Sequence, residues 1–424
     1  CAKLRIQVEI LMYVHKFTAS ALALAIGLAA TAAPVAAQEG YQLPPQDVTD
    51  IVTRAPSPGV SVSPDNDQIL LLEREALPPV AELAKPMEKL AGLRLDASIN
   101  DRYGTRATVG LALQDIASGT VRQVALPAEA DISDVSWKPD GSQVVFTNTR
   151  TDGMDLMVLD TGAATARTIM TGGVNPIFQN PRWMPDGSLL VLTIPQDRGP
   201  KPVESLTPSG PAIQDAAGGQ EAQTRTYQDL LENPYDEALF EWLGTSQPVV
   251  MNADGTGMRT IGEPRIYTSV TPSPDGEYFL MEWLEKPFSY QVPYYSFPTT
   301  SAVYTRDGRL VQTIAEQPLA DALPVQGVVT GRRNIQWHPT EDALLMWAEA
   351  QDGGDPRVES DNRDNLYALA APFAGEGRVI ARLEDRASGS FGIEGTDDLI
   401  AYDYDRDTRE LRQSLVDVTG GNAP

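Results

Sequence analysis

Trp183-Met184-Pro185-Asp186-Gly187 runs straight into Ser188-Leu189-Leu190-Val191-Leu192, and the pattern recurs along the chain. Val135-Ser136-Trp137-Lys138-Pro139-Asp140-Gly141 leads into Val144-Val145-Phe146. Val270-Thr271-Pro272-Ser273-Pro274-Asp275-Gly276 leads into Tyr278-Phe279-Leu280-Met281. Val62-Ser63-Pro64-Asp65 and Trp337-His338-Pro339-Thr340 are looser copies. Proline presets φ at the second turn position, Asp bonds its own backbone, and Gly accepts the positive φ that the hairpin needs. β-forming apolar residues on both sides make each copy a strand–turn–strand unit.

The spacing of the copies points to an all-β propeller of four-stranded blades. Pro139 and Pro185 lie 46 residues apart, a single-blade period. The intervals Pro274–Pro339, Pro64–Pro139 and Pro185–Pro274 are 65, 75 and 89 residues, each one blade plus an insertion. A β-sandwich with Pro-Asp-Gly turns is the alternative. Its turns would recur every ~8–12 residues and need not repeat one motif.

With 424 residues and a net charge of −25, the chain can bury a large core and carries an acidic surface. That charge argues against nucleic acid and anionic lipid as partners. Cys1 is the only cysteine and His15 and His338 are the only histidines, so no disulfide and no thiolate or zinc-spaced metal site is expected. No phosphate-binding loop is present, and no cofactor is implied. Asp403-Tyr404-Asp405-Arg406-Asp407 imitates a calcium loop but lacks its glycine and its closing acid.

Residues 1–37 read as upstream residues and a secretory signal. Met12 is the better initiator, followed by Lys16, an apolar run from Ala19 to Ala33, and small residues before a cut after Ala37. A retained anchor is the alternative. Cleavage implies a periplasmic or secreted protein with no membrane attachment. Residues 38–60 are a Pro-rich lead-in, with a short helix or strand over 47–53, and 61–424 are the propeller. Five blades and part of a sixth can be traced. Insertions fall at 77–96, 195–245, 288–298 and 352–356, and an amphipathic, broken helix is expected from Gln228 to Leu243.

The insertions carry a resemblance. They hold Leu77-Pro78-Pro79-Val80-Ala81-Glu82-Leu83-Ala84 with Leu90-Ala91-Gly92-Leu93-Arg94, and Tyr227-Gln228-Asp229-Leu230-Leu231-Glu232-Asn233-Pro234-Tyr235-Asp236-Glu237. Lys286-Pro287-Phe288-Ser289-Tyr290 and Trp347-Ala348-Glu349-Ala350-Gln351-Asp352-Gly353-Gly354-Asp355-Pro356 complete the set. From about residue 45 onward the chain resembles the non-catalytic propeller of the prolyl oligopeptidase family, in its glutamyl endopeptidase branch. The resemblance implies seven blades and a following α/β-hydrolase domain with a Ser-Asp-His triad, cutting peptides after acidic residues. This chain contains no Gly-x-Ser-x-Gly elbow. Gly389-Ser390-Phe391-Gly392 lacks the spacing, and His338 lies in a turn with no triad partner. The expectation is a truncated ring without catalytic residues, the substrate-gating part of a serine peptidase. A free-standing propeller that binds peptide or protein partners is the alternative.

Several residues are candidates for contact with substrate or with the hydrolase. Arg225, Arg332 and Arg333 could offer bidentate contacts to a substrate carboxylate, or could be ordinary surface arginines. Tyr290, Tyr294, Tyr295 and Phe297 could line an entry or pack on the hydrolase. Glu232, Asp236, Glu237 and Glu241 could face a central cavity or form a solvated helix face.

Overall fold

A computed structural model describes residues 44–105, 107–205, 226–393 and 395–418. The chain divides into two compact units, 1–54 and 55–424. Of the first, the described part is a helix, α1 (Gln46–Val52), entered through Pro45 and burying no residue. It resolves the choice between helix and strand. The expected signal lies outside the described residues.

The second unit is built of antiparallel four-stranded sheets, each wound in chain order. The first holds β1 (Gly59–Val62) and β2 (Gln68–Arg74). An insertion follows, with helix α2 (Val80–Leu83) and a small sheet of β3 (Glu88–Leu90), β4 (Leu93–Asp96) and β5 (Asp101–Arg102). The blade closes with β6 (Thr108–Asp115) and β7 (Val121–Gln123). The second blade is β8 (Ile132–Trp137), β9 (Gln143–Arg150), β10 (Gly153–Asp160) and β11 (Thr165–Met170). One residue pair, Thr108 with Ile132, joins it edge to edge with the first.

The third blade is β12 (Arg182–Trp183), β13 (Leu189–Thr193), β14 (Gln247–Met251) and β15 (Arg259–Thr260), with helix α3 (Pro234–Gly244) in its insertion. The fourth is β16 (Tyr267–Pro272), β17 (Tyr278–Leu284), β18 (Thr299–Thr305) and β19 (Leu310–Gln317). The fifth is β20 (Arg333–Trp337), β21 (Leu344–Ala350), β22 (Asp364–Ala370) and β23 (Arg378–Leu383). The sixth has three described strands, β24 (Arg386–Gly392), β25 (Asp398–Tyr404) and β26 (Leu411–Asp417). This is the expected propeller, and among the described residues the sheets do not close into a ring.

The repeated turn performs the chemistry expected of it. The amide of the glycine reaches back to the residue before the proline, at 2.9 Å in Gly141→Lys138, Gly187→Met184 and Gly276→Ser273. Those glycines have φ of 70°, 78° and 71°. The aspartate accepts the amide two residues on, at 3.0 Å in Asp140, 2.9 Å in Asp186 and 3.0 Å in Asp275. The fifth blade has Thr340 in that place. There the buried His338 takes over, its Nδ1 accepting from the amides of Thr340 and Glu341 at 3.3 and 3.2 Å. His338 is a turn residue, and burial lowers its pKa.

The tryptophans stitch neighbouring blades together. Trp137 Nε1 donates to Ser61 Oγ of the first blade at 2.9 Å. Trp183 Nε1 donates to the Ser136 carbonyl of the second, and Trp337 Nε1 to the Thr271 carbonyl of the fourth, both at 3.0 Å. Their rings fill the apolar layers between sheets. Trp183 packs among Val145, Leu156 and Val158 of one blade and Leu189, Val191 and Val249 of the next. A buried indole N–H needs a partner, and these bonds provide one while fixing the blade register.

Candidate functional site

Topology decides where the insertions lie. A Pro-Asp-Gly turn joins the first two strands of a blade at one end, so the connection from second to third strand lies at the other. All four insertions occupy that second connection, at 75–107, 194–246, 285–298 and 351–363. They therefore emerge from the same side of the sheets. In the second blade the same connection is only Thr151 and Asp152, between the paired Arg150 and Gly153.

Three of the four insertions share one core. Leu90, Leu93 and Leu95 of the first, Leu239, Phe240 and Leu243 of α3, and Val292 and Phe297 of the third are buried together. Phe240 meets Phe288, Phe297 and Phe178 edge-on with ring centroids 5.4, 6.0 and 6.3 Å apart. The Gly92 amide donates to the Asp229 carbonyl at 2.7 Å, and the Tyr294 amide to the Ala91 carbonyl at 2.8 Å. Gly92, at φ 84°, lies so close to Pro293 that a Cβ there would come within 2.6 Å of the proline Cβ.

The helix in this cluster is shorter than expected. It begins at Pro234, capped by Asn233 Oδ1, which accepts the Asp236 amide at 2.9 Å. Gln228 to Leu231 are not helical. Asp229 has φ 58°, and its carbonyl and carboxylate bind the first insertion at Gly92 and Arg94. At the other end the Leu243 carbonyl accepts from Asn175 and Asn100 at 3.0 and 3.2 Å, both side chains being buried.

Three acidic residues of this segment, Asp236, Glu237 and Glu241, are tethers, and Glu232 takes part only through its amide. Asp236 Oδ2 accepts the Glu232 amide at 2.9 Å, Glu237 accepts the Tyr290 hydroxyl at 3.1 Å, and Glu241 takes Lys286 Nζ at 2.8 Å. Of the expected docking aromatics, Phe297 is buried, Tyr290 and Tyr294 are half-buried against the cluster, and Tyr295 is exposed. Arg225 lies outside the described residues. Arg332 stacks 4.5 Å over the Trp347 ring and lies 3.5 Å from Glu376. Arg333 pairs with the buried Asp364. Arg386 reaches both Asp364, at 3.0 Å, and Asp352 of the fourth insertion, at 2.7 and 2.6 Å. That insertion is thus clamped to the sixth blade.

Two cavities bear on the site. On the insertion side a cavity of about 500 Å³ lies between the first insertion and the first two blades, lined by Glu82, Lys85, Asp101, Arg102, Asp131 and Ser133 among others. Burial pushes the Asp101 carboxyl up to about 7, helped by the charges of Asp134 and Asp131. On the turn side an open cavity of about 690 Å³ is lined by Trp183, Thr271, Pro272, Gln336, Trp337 and His338. Its lining comes from first strands and turns of the second to fifth blades. Sequence reasoning missed Asp101.

Comparison with known proteins places the chain. No family model matches it. The probable chloroplastic glutamyl endopeptidase of Oryza sativa subsp. japonica is 38% identical over 399 residues, 90% of this chain and 42% of that protein. Its Arabidopsis thaliana counterpart is 38% identical over 395 residues, 89% of this chain and 41% of that protein. The chain thus spans about two-fifths of the length of these curated relatives. Among solved structures, a Pyrococcus horikoshii acylaminoacyl peptidase has a TM-score of 0.44 at 10% identity, over 86% of this chain and 45% of that one. The expected periplasmic or secreted location is corrected by the relatives, both of which are named chloroplastic. By sequence, then, this chain is related along nine-tenths of its length to the glutamyl endopeptidases, the branch of the prolyl oligopeptidase family that its insertions resemble.

Proposed function

We propose that this chain is the substrate-gating propeller of a serine-type peptidase, working with an α/β-hydrolase domain of the same polypeptide. The observation that carries the reading is the length of the similarity. Identity of 38% over 399 residues is far more than shared Pro-Asp-Gly turns would give, and the relatives are more than twice as long. The insertions support it, since three of the four build one shared core on one side of the sheets while the other side carries only short turns. In this reading the substrate is a peptide with an acidic residue at the cut, and the triad belongs to the hydrolase. Tyr295, exposed on the aromatic insertion, is the docking contact.

Reading the transcript past the Pro424 codon tests this. The expected result is an in-frame domain with a Gly-x-Ser-x-Gly elbow. A stop codon directly after Pro424 would overturn it in favour of a free-standing peptide-binding propeller.

A further inference from the structure

The cavity of about 500 Å³ between the first insertion and the first two blades has carboxylates on opposite walls. The first insertion supplies Glu75, Glu82, Asp96 and Asp101, and the approach to β8 supplies Glu129 and Asp131. Asp134 of β8 adds its charge to that of Asp131 against Asp101. The two cations of the lining are already engaged. Lys85 pairs with Glu82 at 2.8 Å, and Arg102 Nε donates to the Ile177 carbonyl at 2.6 Å. Asp101 accepts the Arg102 amide at 2.6 Å and Asp134 the Thr147 hydroxyl at 2.9 Å, bonds that neutralise neither carboxylate. Pro79, Ile99, Val109 and Ile132 also line the space, so a charge there is poorly solvated. Burial raises the carboxyls of Asp101, Asp131 and Asp134, that of Asp101 to about 7.

One wall is loosely held. Helix α2 and the proline before it place Pro79 and Glu82 on the cavity, yet the helix buries no residue of its own. Leu77, Val80 and Leu83 are exposed, and residues 75–79 and 84–87, which join α2 to β2 and β3, belong to no strand or helix. The Tyr103 hydroxyl, 3.2 Å from the Glu82 carbonyl, ties the turn to the rest of the insertion. The β3–β4 hairpin is fixed instead by the shared core, through Leu90, Leu93 and Leu95. Loss of the Asp101 proton sets a new charge among Asp131, Asp134 and Glu82. Water entry relieves that repulsion, and α2 is the wall that can yield.

We propose that α2 is a pH-operated lid on this cavity, shut while Asp101 carries its proton and lifted when Asp101 is ionised. The inference concerns the insertion itself and holds with or without a hydrolase domain. The shut cavity keeps the proton up to about pH 7, whereas in the open form the carboxyl returns to its ordinary 3.8. The open-to-shut ratio therefore climbs as pH rises from about 4 to about 7 and levels off above that.

Double electron–electron resonance tests it, with spin labels at Ala81→Cys on α2 and Thr151→Cys on the second blade in a Cys1→Ser background. The two forms should appear as a short and a long distance. Their long-to-short ratio should rise roughly 10-fold or more between pH 5 and pH 8. Asp101→Asn should keep the short distance at every pH. Asp134 sits at φ 57°, which asparagine tolerates, and Asp134→Asn should move the levelling-off to lower pH. One unchanging distance across the range, or a lengthening that survives Asp101→Asn, would overturn the proposal. An Asp134→Asn profile that coincides with the wild-type one would overturn it as well.

Discussion

Replacing Phe240 by alanine tests whether the insertions form one structural body. Phe240 is completely buried and meets three aromatic rings from two other segments edge-on. Truncating such a ring costs about 3–5 kcal/mol, from lost burial and from a cavity the neighbours cannot fill. The edge-on contacts belong to that figure, at about 0.5–1.5 kcal/mol each. The blades have separate apolar layers, so the loss should fall on the insertion cluster. Every 1.4 kcal/mol is tenfold, so exchange protection there should drop roughly 100- to 4,000-fold. Hydrogen exchange with mass spectrometry reads this by segment. Residues 88–96, 234–244 and 289–298 should exchange faster together, while 143–160 of the second blade stays protected. Faster exchange limited to 234–244, with the 88–96 hairpin unchanged, would refute a shared core.

Three other perturbations have definite outcomes. Asp101 has its carboxyl raised to about 7 from 3.8, so the folded state holds the proton more tightly than the unfolded chain. The contribution of Asp101 to stability should therefore be greatest below pH 4 and be lost as pH rises through 7, by at most about 4 kcal/mol. Asp101→Asn should flatten that part of the melting-temperature profile relative to wild type, and parallel profiles would contradict the assignment. Arg386→Met strips a guanidinium from Asp352 and Asp364, whose side chains are fully buried, and should cost about 3 kcal/mol in urea unfolding. Gly392 lies against the Pro339 ring, where a Cβ would collide. Gly392→Ala should then lower stability by about 1–3 kcal/mol, and an unchanged melting temperature would show that the fifth and sixth blades pack less closely.

The blades were legible because their signal is local. A proline, an aspartate and a glycine close each turn with bonds that span four residues, and the strands beside them are runs such as Leu189-Leu190-Val191-Leu192, buried on both faces. The insertions were legible only as interruptions. Nothing in the first of them indicates that Leu93 shares a core with Phe240 and Phe297, because that core joins segments more than a hundred residues apart. The helix start was readable but misplaced: Asn233-Pro234 is a cap followed by a first-turn proline, and Gln228 to Leu231 gave only a matching apolar spacing. Arg332 and Arg333 looked available as an exposed pair. Their commitment to Trp347 and Asp364 depends on strands that follow later in the chain.

The most direct measurement is the mapping of fluorophosphonate labelling on the product of the complete reading frame by mass spectrometry. The expected result is a single labelled serine beyond Pro424, with the 424-residue chain unlabelled when produced alone. A labelled serine within residues 44–418 would contradict the account, since it would place the reactive group in the propeller itself.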